Sequence, residues 1–129
     1  MADKLHGLGG VRVGEAKDQP AVEQLELGAV FAALADPHRR SIVEDLLREP
    51  DGARRKCSTF GVGVSRSTMT HQFKVLREAG LITQFDYRNR AEVMLRRADL
   101  DARFPGLLDL VAAGSKRRAS APEDASARG

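Results

Sequence analysis

Arg66, Ser67, Thr68, Thr70, His71 and Lys74 stand close together in the stretch SRSTMTHQFKVLREAGLI, Ser65 to Ile82. Their hydroxyl, imidazole and cationic groups are short donors of the kind that reach base edges and phosphates in a major groove. At roughly 100° per residue on a helix, Met69, Phe73 and Leu76 share one stripe, while Ser67, His71, Lys74 and Glu78 share the opposite one. The first stripe predicts core and the second predicts solvent or a partner. A polar outer face is ordinary for any surface helix, so the flanking sequence has to decide what this one meets.

Covalent chemistry has little to work with. Cys57 and His71 are the one conceivable nucleophile and base, and neither a glycine-rich phosphate loop, paired carboxylates nor a nucleophile turn accompanies them. The sequence therefore predicts no enzyme. A closed metal site needs several converging thiolate or imidazole ligands, whereas the chain holds Cys57 with His6, His38 and His71 scattered along it. No metal and no cofactor is expected. Cys57 follows Arg54, Arg55 and Lys56. A thiol among cations has a lowered pKa, which makes Cys57 a candidate redox residue, although a cysteine opening a short helix is more often a small buried hydrophobe.

The helix carrying the donors needs ends and neighbours. Ser65 is a good N-cap and Ala79-Gly80 a good stop, which bounds a helix over 65–79. Upstream, residues 56–60 read as a short helix, and Gly61-Val62-Gly63-Val64 reads as the tight turn joining two helices. Downstream, residues 81–86 and 91–96 are short strands separated by Tyr87-Arg88-Asn89-Arg90, a hairpin whose tip presents Arg88, Asn89 and Arg90. Arginines at such a tip suit phosphate or minor-groove contact. Helix, turn, helix and two strands make a mainly α chain with a small β-hairpin, a winged helix-turn-helix with its wing over 81–96.

The remaining elements complete one domain over 19–114. Residues 1–18 have no hydrophobic period and are expected to be a disordered arm, and 115–129 a disordered tail with Lys116, Arg117 and Arg118. From Pro20, Val22, Leu25, Ala29, Val30, Ala33 and Leu34 recur at helical spacing and predict one helix ending before Asp36-Pro37. Leu27 and Phe31 lie off that stripe, an apolar edge that a second subunit would cover. Asp36 and Pro37 open the next helix, in which Ile42, Val43, Leu46 and Leu47 face inward. Arg39 and Arg40 are left on its outer side, where a phosphate could lie. After Pro105-Gly106, Leu107, Leu108, Leu110 and Val111 are too apolar for a lone surface helix and call for a partner surface.

Charge is unevenly spread. Residues 1–50 hold 6 Lys/Arg against 9 Asp/Glu, 51–100 hold 10 against 5, and 101–129 hold 5 against 4. The basic third coincides with the donor-bearing helix and wing, the electrostatic footprint of a nucleic-acid binder. No apolar run approaches the roughly 20 residues of a membrane span, and MADKLHGLGG lacks a secretory core, so a cytoplasmic protein is expected. A single cysteine forms no internal disulfide, which fits a reducing compartment.

Three phrases, AVFAALADPHRRSIVEDL, VSRSTMTHQFKVLREAGLI and LRRADLDARFPGLLDLV, together resemble the ArsR-type winged-helix transcriptional regulators of bacteria over about residues 20–113. Asp36-Pro37-His38-Arg39-Arg40, Ser65 to His71 and Leu76 to Leu81 follow the family's order and spacing. The resemblance implies a homodimer in which the C-terminal helix packs with helix one of the other subunit, through Leu27, Phe31, Leu107, Leu108 and Val111. It also implies a repressor that grips double-stranded DNA at an inverted repeat and is often released by an inducer. The chain departs from the many metal-sensing members, because their cysteine pair is absent and residues 105–113 hold no His or Glu. The DNA-binding residues implied are Arg66, Ser67, Thr68, Thr70, His71, Lys74, Arg88, Asn89 and Arg90. The alternative is a winged-helix module that binds a protein partner rather than DNA.

Overall fold

The structure, a computed structural model, describes residues 14–61 and 63–120, with side chains described as far as residue 117. Three helices, α1 (Leu27–Ala35), α2 (Pro37–Leu47) and α3 (Arg66–Glu78), precede the hairpin. Four short strands, β1 (Glu15–Ala16), β2 (Arg55–Lys56), β3 (Ile82–Asp86) and β4 (Ala91–Leu95), form one antiparallel sheet in the order β1-β3-β4-β2. Two more helices, α4 (Arg97–Arg103) and α5 (Leu107–Ser120), close the domain against α2. The element order is that of a winged helix-turn-helix, mainly α with a small sheet.

Local chemistry explains the helix ends. Asp36 accepts from the His38 N–H at 2.9 Å and Pro37 fills the first position of α2, so that helix has the cap its sequence promises. α3 begins at Ser65, whose Oγ accepts from the Thr68 N–H at 3.2 Å, a cap worth about 1 kcal/mol. It ends in a Schellman motif. Gly80, at φ +88°, donates to Arg77 O and Leu81 donates to Leu76 O, each at 3.0 Å, with Leu76 and Leu81 both fully buried. The Leu25 side chain fills the space a side chain at position 80 would need, so glycine there serves the packing as well as the turn.

One core joins the layers. Val30 and Leu34 of α1, Val43 and Leu46 of α2, Phe73 and Leu76 of α3 and Ile82, Val93 and Leu95 of the sheet all belong to it. Within β3 and β4, Ile82 faces Leu95 and Gln84 faces Val93, and Val93 has no exposed surface. Among the described residues no helix is long and apolar enough to cross a membrane.

Several elements differ from expectation. Residues 1–13 lie outside the described residues, but Glu15 and Ala16, expected to lack structure, pair with Asp86 and Phe85, and Lys17 Nζ lies 2.9 Å from Asp86 Oδ2. β1 thus flanks the wing on the β3 side, as β2 does on the β4 side. The single helix expected from Pro20 is split into a 3₁₀ turn, Val22–Gln24, and α1. Leu25 between them is extended at φ −69° and ψ 135°, and its carbonyl accepts from Arg103 Nε and Nη2 at 3.1 and 2.9 Å. That carbonyl is satisfied from across the chain, so the helix does not need to start earlier. The short helix expected over 56–60 is one 3₁₀ turn, Cys57–Thr59. At the other end, α5 runs to Ser120, beyond the expected boundary at 114, and 121–129 lie outside the described residues.

Arg39 and Arg40 are also corrected. Neither is a free cation: Arg39 Nε donates to Ala33 O at 2.9 Å and Arg40 Nη1 to Leu34 O at 2.8 Å. They satisfy carbonyls at the C-terminus of α1. Arg97 does the same for α2, with Nη2 lying 2.7 Å from Glu49 O and 3.2 Å from Leu47 O.

Candidate nucleic-acid interface

Phe73 fixes α3 in the core, meeting the Phe60 ring edge-on at 5.7 Å and 71°. The turn before α3 is closed by the Val64 N–H donating to Gly61 O at 2.8 Å, with Gly61 at φ +64° beside Met69. The opposite side of the helix is left outside. Arg66, Ser67, Thr68, Thr70, His71 and Lys74 are exposed along it, and Arg88, Asn89 and Arg90 are exposed at the wing tip.

The two groups meet. Arg66 and Met69 of α3, Ser58 of the 3₁₀ turn and Asn89, Arg90 and Ala91 of the wing line a single groove of ≈ 430 Å³. A helix start with free N–H groups and a cationic rim is an anion-accepting geometry. Thr68 is placed differently from the rest, because its Oγ1 accepts from Ser65 Oγ at 2.9 Å and it borders a smaller crevice with His38, Ser41 and Asp45. It serves the cap. The tip arginines also differ: Arg90 is held over the Tyr87 ring at 4.1 Å and pairs with Glu92 at 3.2 Å, while Arg88 is exposed beside it.

The basic third of the sequence is sorted by these contacts. Arg55 bonds Thr59 and stacks on Phe60, Arg77 bonds Gln84, and Arg96 and Arg97 bind Asp99 and backbone carbonyls. Arg54 lies over Phe85 at 3.5 Å and donates to Tyr87 Oη at 3.1 Å. Arg54, Lys56, Arg66, Lys74, Arg88 and Arg90 remain exposed, Arg54 and Arg90 with the ring contacts just described. Lys56 was not singled out by the sequence. It lies on β2 opposite Glu92 of the wing and one residue before the groove-lining Cys57, a position that only the strand pairing reveals.

Gln72 was missed as well, although its signal was present. It stands three residues after Met69 and four before Leu76, on the inward stripe, and it is 6% exposed. Its Nε2 donates to Asp36 Oδ2 at 3.2 Å and its Oε1 accepts from Arg39 Nη1 at 3.0 Å. The Asp36 carboxyl is held below the usual carboxylate range, first by the His38 N–H and then by Gln72 and Arg39.

Cys57 is half-buried and packs against the core. Burial, reinforced by Asp86 and Glu92, pushes its thiol up to about 12, while Arg54 and Arg55 are turned onto the Phe85 and Phe60 rings and onto Tyr87 and Thr59. The reactive thiolate is disfavoured at neutral pH. Among the described residues no three His, Cys, Asp or Glu side chains are grouped to hold a metal ion.

The expected interface leucines divide. Leu107 and Leu108 are 8% and 4% exposed and belong to the chain's own core, with Val111 half-buried against it. The structure thus places Leu107 and Leu108 inside the chain rather than on a face open to a second subunit. Among the described residues, Leu27, Phe31 and Leu110 are the large apolar side chains left in solvent, at 42%, 53% and 69%.

No family model matches the chain, and no curated protein matches it. Among solved structures it is similar to an ArsR-like transcriptional regulator from Rhodococcus sp. RHA1, with 25% identity, 73% of this chain and 87% of that chain covered, and a TM-score of 0.49.

Proposed function

We propose that the chain is a sequence-specific DNA-binding transcriptional regulator of the cytoplasm, a homodimeric repressor. The N-terminal half of α3 enters the major groove, and the wing tip lies on the backbone or in the minor groove. The observation that carries this reading is the groove shared by Arg66 with Asn89 and Arg90, beside the exposed donors Ser67, Thr70 and His71. Ser67, Thr70 and His71 read bases; Lys74, Arg88 and Arg90 meet phosphates, with Lys56 as an added contact. Exposed Leu27, Phe31 and Leu110 support pairing of two copies through α1 and α5.

Selection of bound fragments from a random duplex pool tests it. The expected product is an inverted repeat with half-sites about one helical turn apart, bound with an affinity that falls steeply as salt rises. Failure to enrich any sequence, with salt-insensitive retention of the pool, overturns the reading in favour of a protein partner.

A further inference from the structure

We infer that the clasp of Gln72 on Asp36 and Arg39 sets the roll of α3 about its own axis, and through it the sequence preference of the chain; this rests on the proposal that α3 reads DNA. Two of the three residues come from the junction of α1 and α2, and the third stands next to His71 on α3. The amide uses both of its ends. Its Nε2 is 3.2 Å from Asp36 Oδ2 and its Oε1 is 3.0 Å from Arg39 Nη1.

The two anchors are themselves fixed. Asp36 holds the His38 N–H at 2.9 Å as the cap of α2, and Arg39 holds Ala33 O at 2.9 Å and Ala32 O at 3.3 Å at the end of α1. They also pair with each other at 3.3 Å. Apolar contacts from Phe73 and Leu76 hold α3 down but are non-directional. Hydrogen bonds are directional, weakening steeply as their angle departs from linear, so the amide supplies what the apolar stripe lacks. A change of roll moves Ser67, Thr70 and His71 across the base edges; Lys74 turns with them but is a flexible cation that tolerates displacement a base contact does not, and Arg88 and Arg90 stand on the wing, outside α3.

The test uses Gln72→Leu, which keeps the bulk of the side chain and leaves Asp36 and Arg39 paired with each other, together with Arg39→Met. Residual dipolar couplings of the α3 amides, measured without DNA, report the helix's orientation relative to α2. Anisotropy with the selected operator and with unrelated duplex reports the preference. The expected result for both variants is altered couplings and a specific-to-nonspecific ratio lowered about tenfold, the size of one base contact, at unchanged salt slope. The double variant should be no worse than either single one. Wild-type couplings in Gln72→Leu overturn the clasp, and altered couplings with an intact ratio overturn its link to preference. Wild-type protein that shows no sequence preference sinks the DNA-reading proposal instead, and with it the preference half of this inference, while the couplings still decide the roll.

Discussion

The guanidinium of Arg90 lies over the Tyr87 ring, 4.1 Å from its centroid, and its Nε is 3.2 Å from Glu92 Oε2. The tip of the wing is therefore stiffened by one arginine whose charge is already partly offset, beside Arg88, which is free to face a phosphate. Arg88→Ala should reduce the slope of log affinity against log salt by about one, as for one lost phosphate contact. Arg90→Ala should reduce it by less. A salt series of anisotropy titrations checks this, and the reverse ranking would count against the tip geometry.

Leu108 and Leu110 separate folding from pairing. Leu108→Glu places a carboxylate in the core and should destabilise the fold by at least about 3 kcal/mol. Leu110→Glu, at an exposed site, should leave thermal unfolding of the monomer near wild type and lower the mass measured in solution to that of one chain. An unchanged dimer in Leu110→Glu would place the interface elsewhere.

The raised pKa of Cys57, about 12, predicts slow chemistry. Iodoacetamide should alkylate it at pH 8 more slowly than it alkylates free cysteine, whose pKa is about 8.5. Cys57→Ser should leave DNA affinity unchanged. Alkylation as fast as that of the free amino acid would reinstate the redox role.

Asp36 predicts an acid effect. Its folded pKa is below the ordinary 3.8, so its charged form stabilises the fold above that value, and this contribution is lost as pH falls through the folded pKa. The stability gap between wild type and Asp36→Asn, from urea unfolding over a pH series, should be open at neutral pH and should close below 3.8. A gap that does not vary with pH would contradict the role of its charge.

Much of this was legible before any coordinates. Ser65, Asp36-Pro37 and Ala79-Gly80 marked their helix ends because capping chemistry is local. The outward donors followed from helical period alone. What could not be read depended on distant partners. Arg103 bonds the Leu25 carbonyl where the first helix is interrupted, Arg39 and Arg40 are drawn onto α1, and β1 joins the wing from residues with no period of their own. The four apolar residues of α5 do not by themselves separate its inward face from its outward one; packing against α2 and α4 does, and it takes Leu107 and Leu108 into the chain's own core.

The most direct measurement of the central claim is the affinity of His71→Ala for the selected operator and for unrelated duplex, over a salt series. His71 is exposed in the N-terminal half of α3, and the proposed function assigns it a base contact. The account predicts a loss of about 1–3 kcal/mol on the operator, with non-specific affinity and salt slope preserved. Operator affinity equal to wild type would show that this face of α3 reads no sequence.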